Sequence, residues 1–388
     1  MDLEERITRR LGVRGGSGIF TDREALNPTV HRPEPIGRGS VLERLLDKLE
    51  PAFADSLPEP FAVSGPAGSG TSAVITALFS ALTRQLGTTA RTIGTTTRTG
   101  APDPTTWFVY VDGRRVTSAF GFYRAVLSTV SAEPVPASGV GTDALRERLT
   151  QQLSRPDRRA VIAIDHHDEP ETLTFDRVGT LLEPIANGTT TVPVGQQPPT
   201  DWHGAVVEVP HYRRHELVDI LTARSSVGLA AGAIEHHELR RIAEWADGSA
   251  HDALTALFSA ALLASEADRD SISSADIRQA QAAVPTDGVH LDRVLALPET
   301  RQRVLLALLE LECADNLLPI RELAAEIASD SSLTTGTVKR FLYELADKQI
   351  LARVPLERPG SGRRPSTLEP RFPQLAFRAL SPEAMERR

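Results

Sequence analysis

Residues 60–82, PFAVSGPAGSGTSAVITALFSAL, place a short apolar run, a glycine-rich turn and a helical run in immediate succession. The run Phe61 to Ser64 has the character of a buried strand, and Ala73 to Leu82 that of a helix opening straight after the turn. This is the context of a phosphate loop. In the pattern G-x-x-x-x-G-K-[ST], backbone N–H groups at a helix N-terminus wrap phosphates, the lysine neutralises the outer ones and the hydroxyl reaches magnesium. Gly65, Gly68, Ser69, Gly70 and Ser72 are in place, but Thr71 stands where the lysine belongs. The nearest lysine upstream, Lys48, lies 17 positions before Gly65. Losing one charge-assisted hydrogen bond is worth roughly 1.5–3 kcal/mol, about ten- to a hundredfold in affinity. The sequence therefore predicts ATP or ADP with magnesium held weakly or not at all. A glycine-rich turn without any ligand is the competing reading.

Outward from this loop, apolar runs recur at 107–112 (WFVYVD), 160–165 (AVIAID), 190–195 (TTVPVG) and 205–210 (AVVEVP), with helical stretches between several of them. Strands alternating with helices predict a mostly parallel sheet covered on both faces, with ligands at the carboxyl ends of the strands. Asp165, ending its run, is the expected second magnesium ligand beside Ser72. His166 follows it where a water-activating carboxylate would be useful, so Asp168 or Glu169 would have to take over base chemistry. The histidines of HHDEPE read as a polar loop, and the adjacent His236 and His237 lack metal-ligand spacing and read as solvated. Before the first strand, VLERLLDKLEPAF at 41–53 is a helix with Leu42, Leu45, Leu46 and Leu49 on one face, closed by Pro51. Segments 87–106 and 133–143, rich in Thr, Gly, Pro and Ser, read as surface loops.

Composition narrows the function classes. Of 388 residues, 40% are hydrophobic and 24% charged, the balance of a folded domain protein. No apolar run approaches the ~20 residues of a membrane span, and the N-terminus lacks the apolar core of a secretory signal, so a cytoplasmic protein is expected. Cys313 is the only cysteine, which excludes an internal disulfide and a thiolate zinc cage. A net charge of −8 opposes nonspecific attraction to nucleic acid, so any DNA contact has to be local. Only Lys48, Lys339 and Lys348 are lysines. A salt-rich cytoplasm and a GC-rich genome each account for that bias toward arginine.

From about 211 the pattern becomes helical throughout: ELVDILTARSSV, EHHELRRIAEWADG and HDALTALFSAALLASEA, then ISSADIRQAQAAV with Ser273 or Ser274 as its cap and a turn at Pro285 to Gly288. A third unit follows from 289. Its IRELAAEIAS and TTGTVKRFLYELADKQ, separated by a polar turn, have the spacing of a helix-turn-helix. Val338, Leu342 and Leu345 would face the core, leaving Thr335, Thr337, Lys339, Arg340 and Tyr343 outward as candidate DNA contacts. ILARVPLERPGSGRRPSTLEPRF reads as two strands around a tip carrying Arg358, Arg363 and Arg364, a basic wing suited to phosphate or minor-groove contact.

The order of these motifs resembles that of the archaeal origin-recognition and cell-division-control initiators, AAA+ ATPases with a C-terminal winged helix. The resemblance rests on the arm GIFTDREALNPTVHRPEPIGR (18–38), the loop GPAGSGTS (65–72), the pair WFVYVD and AVIAID, the run VPHYRRHELVDILTAR (209–224) and GSAHDAL (248–254). It implies an N-terminal arm (1–36), an AAA+ α/β phosphate-loop sheet domain (37–210), a helical lid (211–286) and a winged-helix domain (289–380). It implies that Ile36, Gly37 and His211-Tyr212 lie around an adenine, that helices at about 117–135 touch DNA, and that double-stranded DNA, initiator paralogues or a second copy are partners in a nucleoid-associated setting. Departures gather at nucleotide chemistry: Thr71 for lysine, His166 for glutamate, and His251 where a lid arginine would sense the outer phosphate. The expectation is an initiator-like DNA-binding protein with an impaired nucleotide site. Two rivals stay open: a DNA-dependent ATPase in which an arginine such as Arg224 replaces the lysine, and a docking partner of active initiators without DNA binding of its own.

Overall fold

The computed structural model describes residues 18–54, 56–93, 105–170, 172–312, 318–356 and 365–381, with the backbone alone for 87–93 and 312. Among the described residues no helix is long and apolar enough to cross a membrane. The chain forms two compact units. One comprises His31–Leu217 and Asp247–Ala250, and the other takes residues up to Val30, Val218–Ala246 and His251 onward.

The first unit is built on five parallel strands, β1 (Phe61–Ser64), β2 (Thr105–Asp112), β3 (Arg158–Asp165), β4 (Thr189–Gly195) and β5 (Ala205–Glu208), in the order β2-β3-β4-β1-β5. The five apolar runs are therefore all strands. Val63 pairs with Val194 on one side and Val207 on the other, and Asp112 with Asp165. Because every strand points the same way, the loops after β1, β3 and β4 gather at one edge, where chemistry in such sheets is placed.

Helices α1 (Gly39–Phe53) and α2 (Thr71–Ile93) cover one face, burying Leu45, Leu49, Val74, Ile75 and Phe79 against Phe61, Val161 and Val192. Helices α3 (Ala119–Val130), α4 (Thr142–Leu153) and α5 (Phe175–Leu182) cover the other with Phe122, Leu127, Leu149 and Leu181. Each such side chain contributes roughly 1.5–3 kcal/mol of transfer energy. Two expectations need correction. Helix α1 runs through Pro51 to Phe53, which is possible because a proline in the last turn forfeits only one ladder bond. The loop expected at 87–106 is helical as far as Ile93 and already strand from Thr105.

In the second unit, α6 begins in the other unit and ends here (Arg214–Gly228), followed by α7 (His236–Trp245), α8 (Ala250–Glu266) and α9 (Ser274–Ala282). Ser273 caps α9 in a reciprocal box with Asp276. The arm lies on these helices: Phe20 bridges to Leu229, and Arg23 donates to the Ala379 carbonyl at 3.2 Å while facing the Phe258 ring. The Gly288 N–H closes a turn on Pro285. The winged-helix part then contains α10 (Leu291–Leu295), α11 (Glu299–Glu312), α12 (Ile320–Ser329), α13 (Thr335–Asp347), β6 (Leu351–Pro355), β7 (Ser366–Pro370) and α14 (Gln374–Leu380). Strands β6 and β7 pair antiparallel from Leu351↔Pro370 to Pro355↔Ser366.

Candidate functional site

The glycine-rich loop lies between β1 and α2 and shows why glycine is needed there. Gly68 and Gly70 have φ of 76° and 78°, a region costly for residues with a Cβ. A Cβ on Gly70 would also lie 2.6 Å from the Tyr212 hydroxyl, and one on Gly68 would collide with Ser249. The Gly68 carbonyl accepts the Ala250 N–H at 2.9 Å. Thr71 is buried, and its hydroxyl bonds Ser69 Oγ at 2.9 Å, so the lost lysine has left an internal contact. Ser72 is half-buried in the first turn of α2.

A residue that sequence reading passed over completes the loop. Arg38, at the end of the quoted arm, is only 2% exposed. Its Nε and Nη2 donate to the Ser69 carbonyl at 3.2 and 2.6 Å, and Nη2 also donates to the Pro210 carbonyl at 2.8 Å. Its guanidinium carbon sits 3.4 Å from the Tyr212 ring centroid. Tyr212 is buried, Ile36 half-buried, and Gly37 and His211 exposed.

At the end of β3, Asp165 has a side chain 1% exposed. The Tyr110 hydroxyl donates to its Oδ2 at 2.6 Å and the His166 N–H to its Oδ1 at 2.9 Å. Burial first, then the Asp165 charge and the bond given to it, push the Tyr110 hydroxyl well above its ordinary value. His166 adopts φ 59° and sets its ring between Asp165 and Glu169, with Nδ1 3.3 Å from Glu169 Oε1. Burial pulls His166 down, but the Asp165 charge and the Glu169 hydrogen bond outweigh it, so its pKa rises. Glu169 also accepts Arg114 Nε at 2.9 and 3.0 Å. Burial works against its charge, yet His166 and Arg114 hold it at about 2.

Both expected substitute bases accept hydrogen bonds from the protein itself. Asp168 accepts the N–H groups of Gln196 and Gln197 at 2.8 and 3.2 Å, pinning the loop after β4, and Glu169 is held by Arg114. His236 and His237 are exposed, as expected.

Two residues expected at the phosphates, Arg224 and His251, have partners of their own within the second unit. Arg224, the candidate replacement for the missing lysine, donates to the arm carbonyls of Ala25, at 3.0 Å, and Val30. It anchors the arm because its 6% exposure leaves it among those carbonyls. His251, placed as the phosphate sensor, has both ring nitrogens engaged. The Leu291 N–H donates to Nε2 at 3.0 Å, so Nδ1 carries the proton and donates to Asp252 at 2.9 Å. Its ring stacks on His290 at 3.9 Å and 7°. Among the described residues, His251, Asp252 and His290 form the one cluster of three potential metal ligands. Parallel rings cannot both hold a single ion in their planes, and His251 instead caps α10.

In the helix-turn-helix, Thr334 caps α13 by accepting the Thr337 N–H. Val338, Leu342 and Leu345 are buried, as the spacing required, and so is Phe341. Thr335, Lys339 and Arg340 are exposed, while Thr337 and Tyr343 are half-buried. Lys339 Nζ and the guanidinium carbon of Arg353 lie 5.9 and 5.3 Å from the Tyr343 ring. Arg353, exposed on β6, was missed; its place in the strand alternation of ARV was the available signal. Arg358, Arg363 and Arg364 lie outside the described residues. In α3 the apolar stripe faces the sheet, with Arg124, Ser128 and Thr129 outward.

Known proteins share this fold. Residues 34–188 match the AAA ATPase domain, and residues 218–282 the Cdc6 AAA+ ATPase-type lid domain. An ORC1-type DNA replication protein 1 of Sulfolobus acidocaldarius is 24% identical over 349 residues, covering 85% of this chain and 79% of that protein. The Aeropyrum pernix ORC1 protein, solved in complex with DNA, superposes with a TM-score of 0.62 at 22% identity, covering 94% of this chain and 97% of that one. Cdc6p from Pyrobaculum aerophilum gives 0.54 at 17% identity, covering 95% and 99%.

Proposed function

Because the chain belongs to the Cdc6/ORC1-type AAA+ family, we propose that it is a replication-initiator-like protein that binds double-stranded DNA, holds ATP or ADP weakly and no longer hydrolyses it efficiently. The observation that carries this reading is that Asp165, Asp168 and Glu169, the carboxylates at the β3 edge, all accept donors from the protein itself. A general base has to be within reach of the proton it takes and free to take it. The loop N–H groups and Ser72 remain available in kind for a phosphate, with Ile36, Gly37 and Tyr212 beside the base and His251 contributing nothing through its occupied nitrogens. Ser72 and Asp165 are the residues that would hold magnesium, and Asp165 already accepts the Tyr110 hydroxyl and the His166 N–H.

DNA contact is assigned to the outward face of α13, Thr335, Thr337, Lys339, Arg340 and Tyr343, with Arg353 beside it; Arg358, Arg363 and Arg364, outside the described residues, are assigned to it from the sequence alone. Support comes from the exposed cations of α13 and β6 and from the DNA complex of the Aeropyrum pernix relative. Initiator paralogues or a second copy are the expected protein partners, in a nucleoid-associated setting. Steady-state phosphate release from purified protein, with and without duplex DNA, tests the reading. Background release is expected; magnesium-dependent turnover at rates like an intact AAA+ enzyme, abolished by Asp165→Ala, overturns it.

A further inference from the structure

Arg38 is a cation that the first unit buries without a carboxylate. It is 2% exposed, its Nε and Nη2 donate to the neutral carbonyls of Ser69 and Pro210, and its flat face lies on Tyr212. No Asp or Glu oxygen among the described residues lies within the 4.0 Å of an ion pair. A guanidinium taken from water is costly unless an opposite charge compensates it. Carbonyl dipoles and a ring face offset part of that cost and leave the full positive charge in place. The second observation is where the charge sits. Ser69 lies between Gly68 and Gly70, and Thr71, two positions on, is the residue that lacks the ammonium. A helix N-terminus adds its own positive end at the same place.

We propose that Arg38 supplies the cationic charge that the phosphate loop lost at Thr71, so that the loop selects a nucleoside di- or triphosphate over the bare nucleoside. The inference rests on the weak-nucleotide reading above and deepens it by naming the residue that acts on the phosphates. The fork of Nε and Nη2 on one carbonyl fixes the loop as well as charging it, which a lysine at the same point would do with less geometric definition.

Isothermal titration of the full chain with ATP, ADP and adenosine, in EDTA to remove metal, separates the phosphate effect from the base. Arg38→Met is expected to weaken ATP and ADP about tenfold or more while leaving adenosine unchanged. Adding Thr71→Lys to Arg38→Met returns a cation to the loop and is expected to recover ATP affinity. An equal loss for adenosine and ATP makes Arg38 a structural clamp and overturns the proposal, as does an unchanged ATP affinity. If circular dichroism shows Arg38→Met unfolded, Arg38→Lys decides. A kept preference for ATP over adenosine supports the charge role, and a vanished preference overturns it. Wild-type protein that binds none of the three overturns the nucleotide reading together with this one.

Discussion

The phosphate loop and the helix-turn-helix both place a threonine at the start of a helix, yet they spend their polar groups in opposite directions. At the phosphate loop and the β3 edge beside it, Thr71 bonds Ser69, and Asp165, His166, Glu169 and Arg114 bond one another. In α13, Thr334 satisfies the helix end, while Lys339 and Arg340 stay in water. A site with internal partners is stable without a ligand, whereas a surface of solvated cations keeps its capacity to release counterions on meeting phosphate. On the proposed reading, the comparison explains how one chain can keep an AAA+ frame without efficient turnover.

The sharpest way to break this contrast is to restore the missing groups. Thr71→Lys combined with His166→Glu is expected to raise steady-state ATP turnover by about a thousandfold or more, since a positioned base alone contributes 10²–10⁴. An unchanged rate would mean that the internal network is not what silences the site. Next in size, Leu342→Ala leaves a cavity under α13 and is expected to destabilise the winged-helix part by about 3 kcal/mol in denaturant melts, with duplex affinity falling and nucleotide affinity unmoved. A smaller effect belongs to the surface. Lys339→Ala with Arg340→Ala is expected to lower the magnitude of the log K against log salt slope by about two units, near 0.9 for each lost phosphate contact. An unchanged slope would remove α13 from the DNA interface.

The smallest effect concerns acid stability. Glu169 is held at about 2 against an ordinary 4.5. A depressed carboxyl stabilises the fold fully above the unfolded value and loses that contribution as pH falls toward the folded one. Thermal melts of the wild type between pH 5 and about 2 should therefore carry a slope that Glu169→Gln reduces. Identical slopes would show that the His166–Glu169–Arg114 network does not couple to folding.

Much of the frame was legible because burial on two faces writes continuous apolar runs, as in AVIAID, and burial on one face writes helical spacing, as in Val338, Leu342 and Leu345. The loop and Asp165 were legible as motifs. What was hidden depends on contacts distant in sequence. Arg38 acquires its role only when residues 38, 69, 210 and 212 meet. Tyr110 reads as one more apolar strand residue until β2 pairs with β3 and its hydroxyl reaches Asp165. Arg224 and His251 read as phosphate-binding residues because their sequence positions fit. Arm carbonyls hold Arg224, and the Leu291 N–H together with Asp252 holds His251.

One experiment meets the central claim head on: equilibrium binding of labelled ATP and of labelled duplex DNA to the same purified sample across a salt series. The account predicts salt-dependent retention of duplex beside weak ATP binding, with duplex affinity the same whether or not ATP and magnesium are added. Tight, magnesium-dependent ATP binding with no duplex held even at low salt would contradict it.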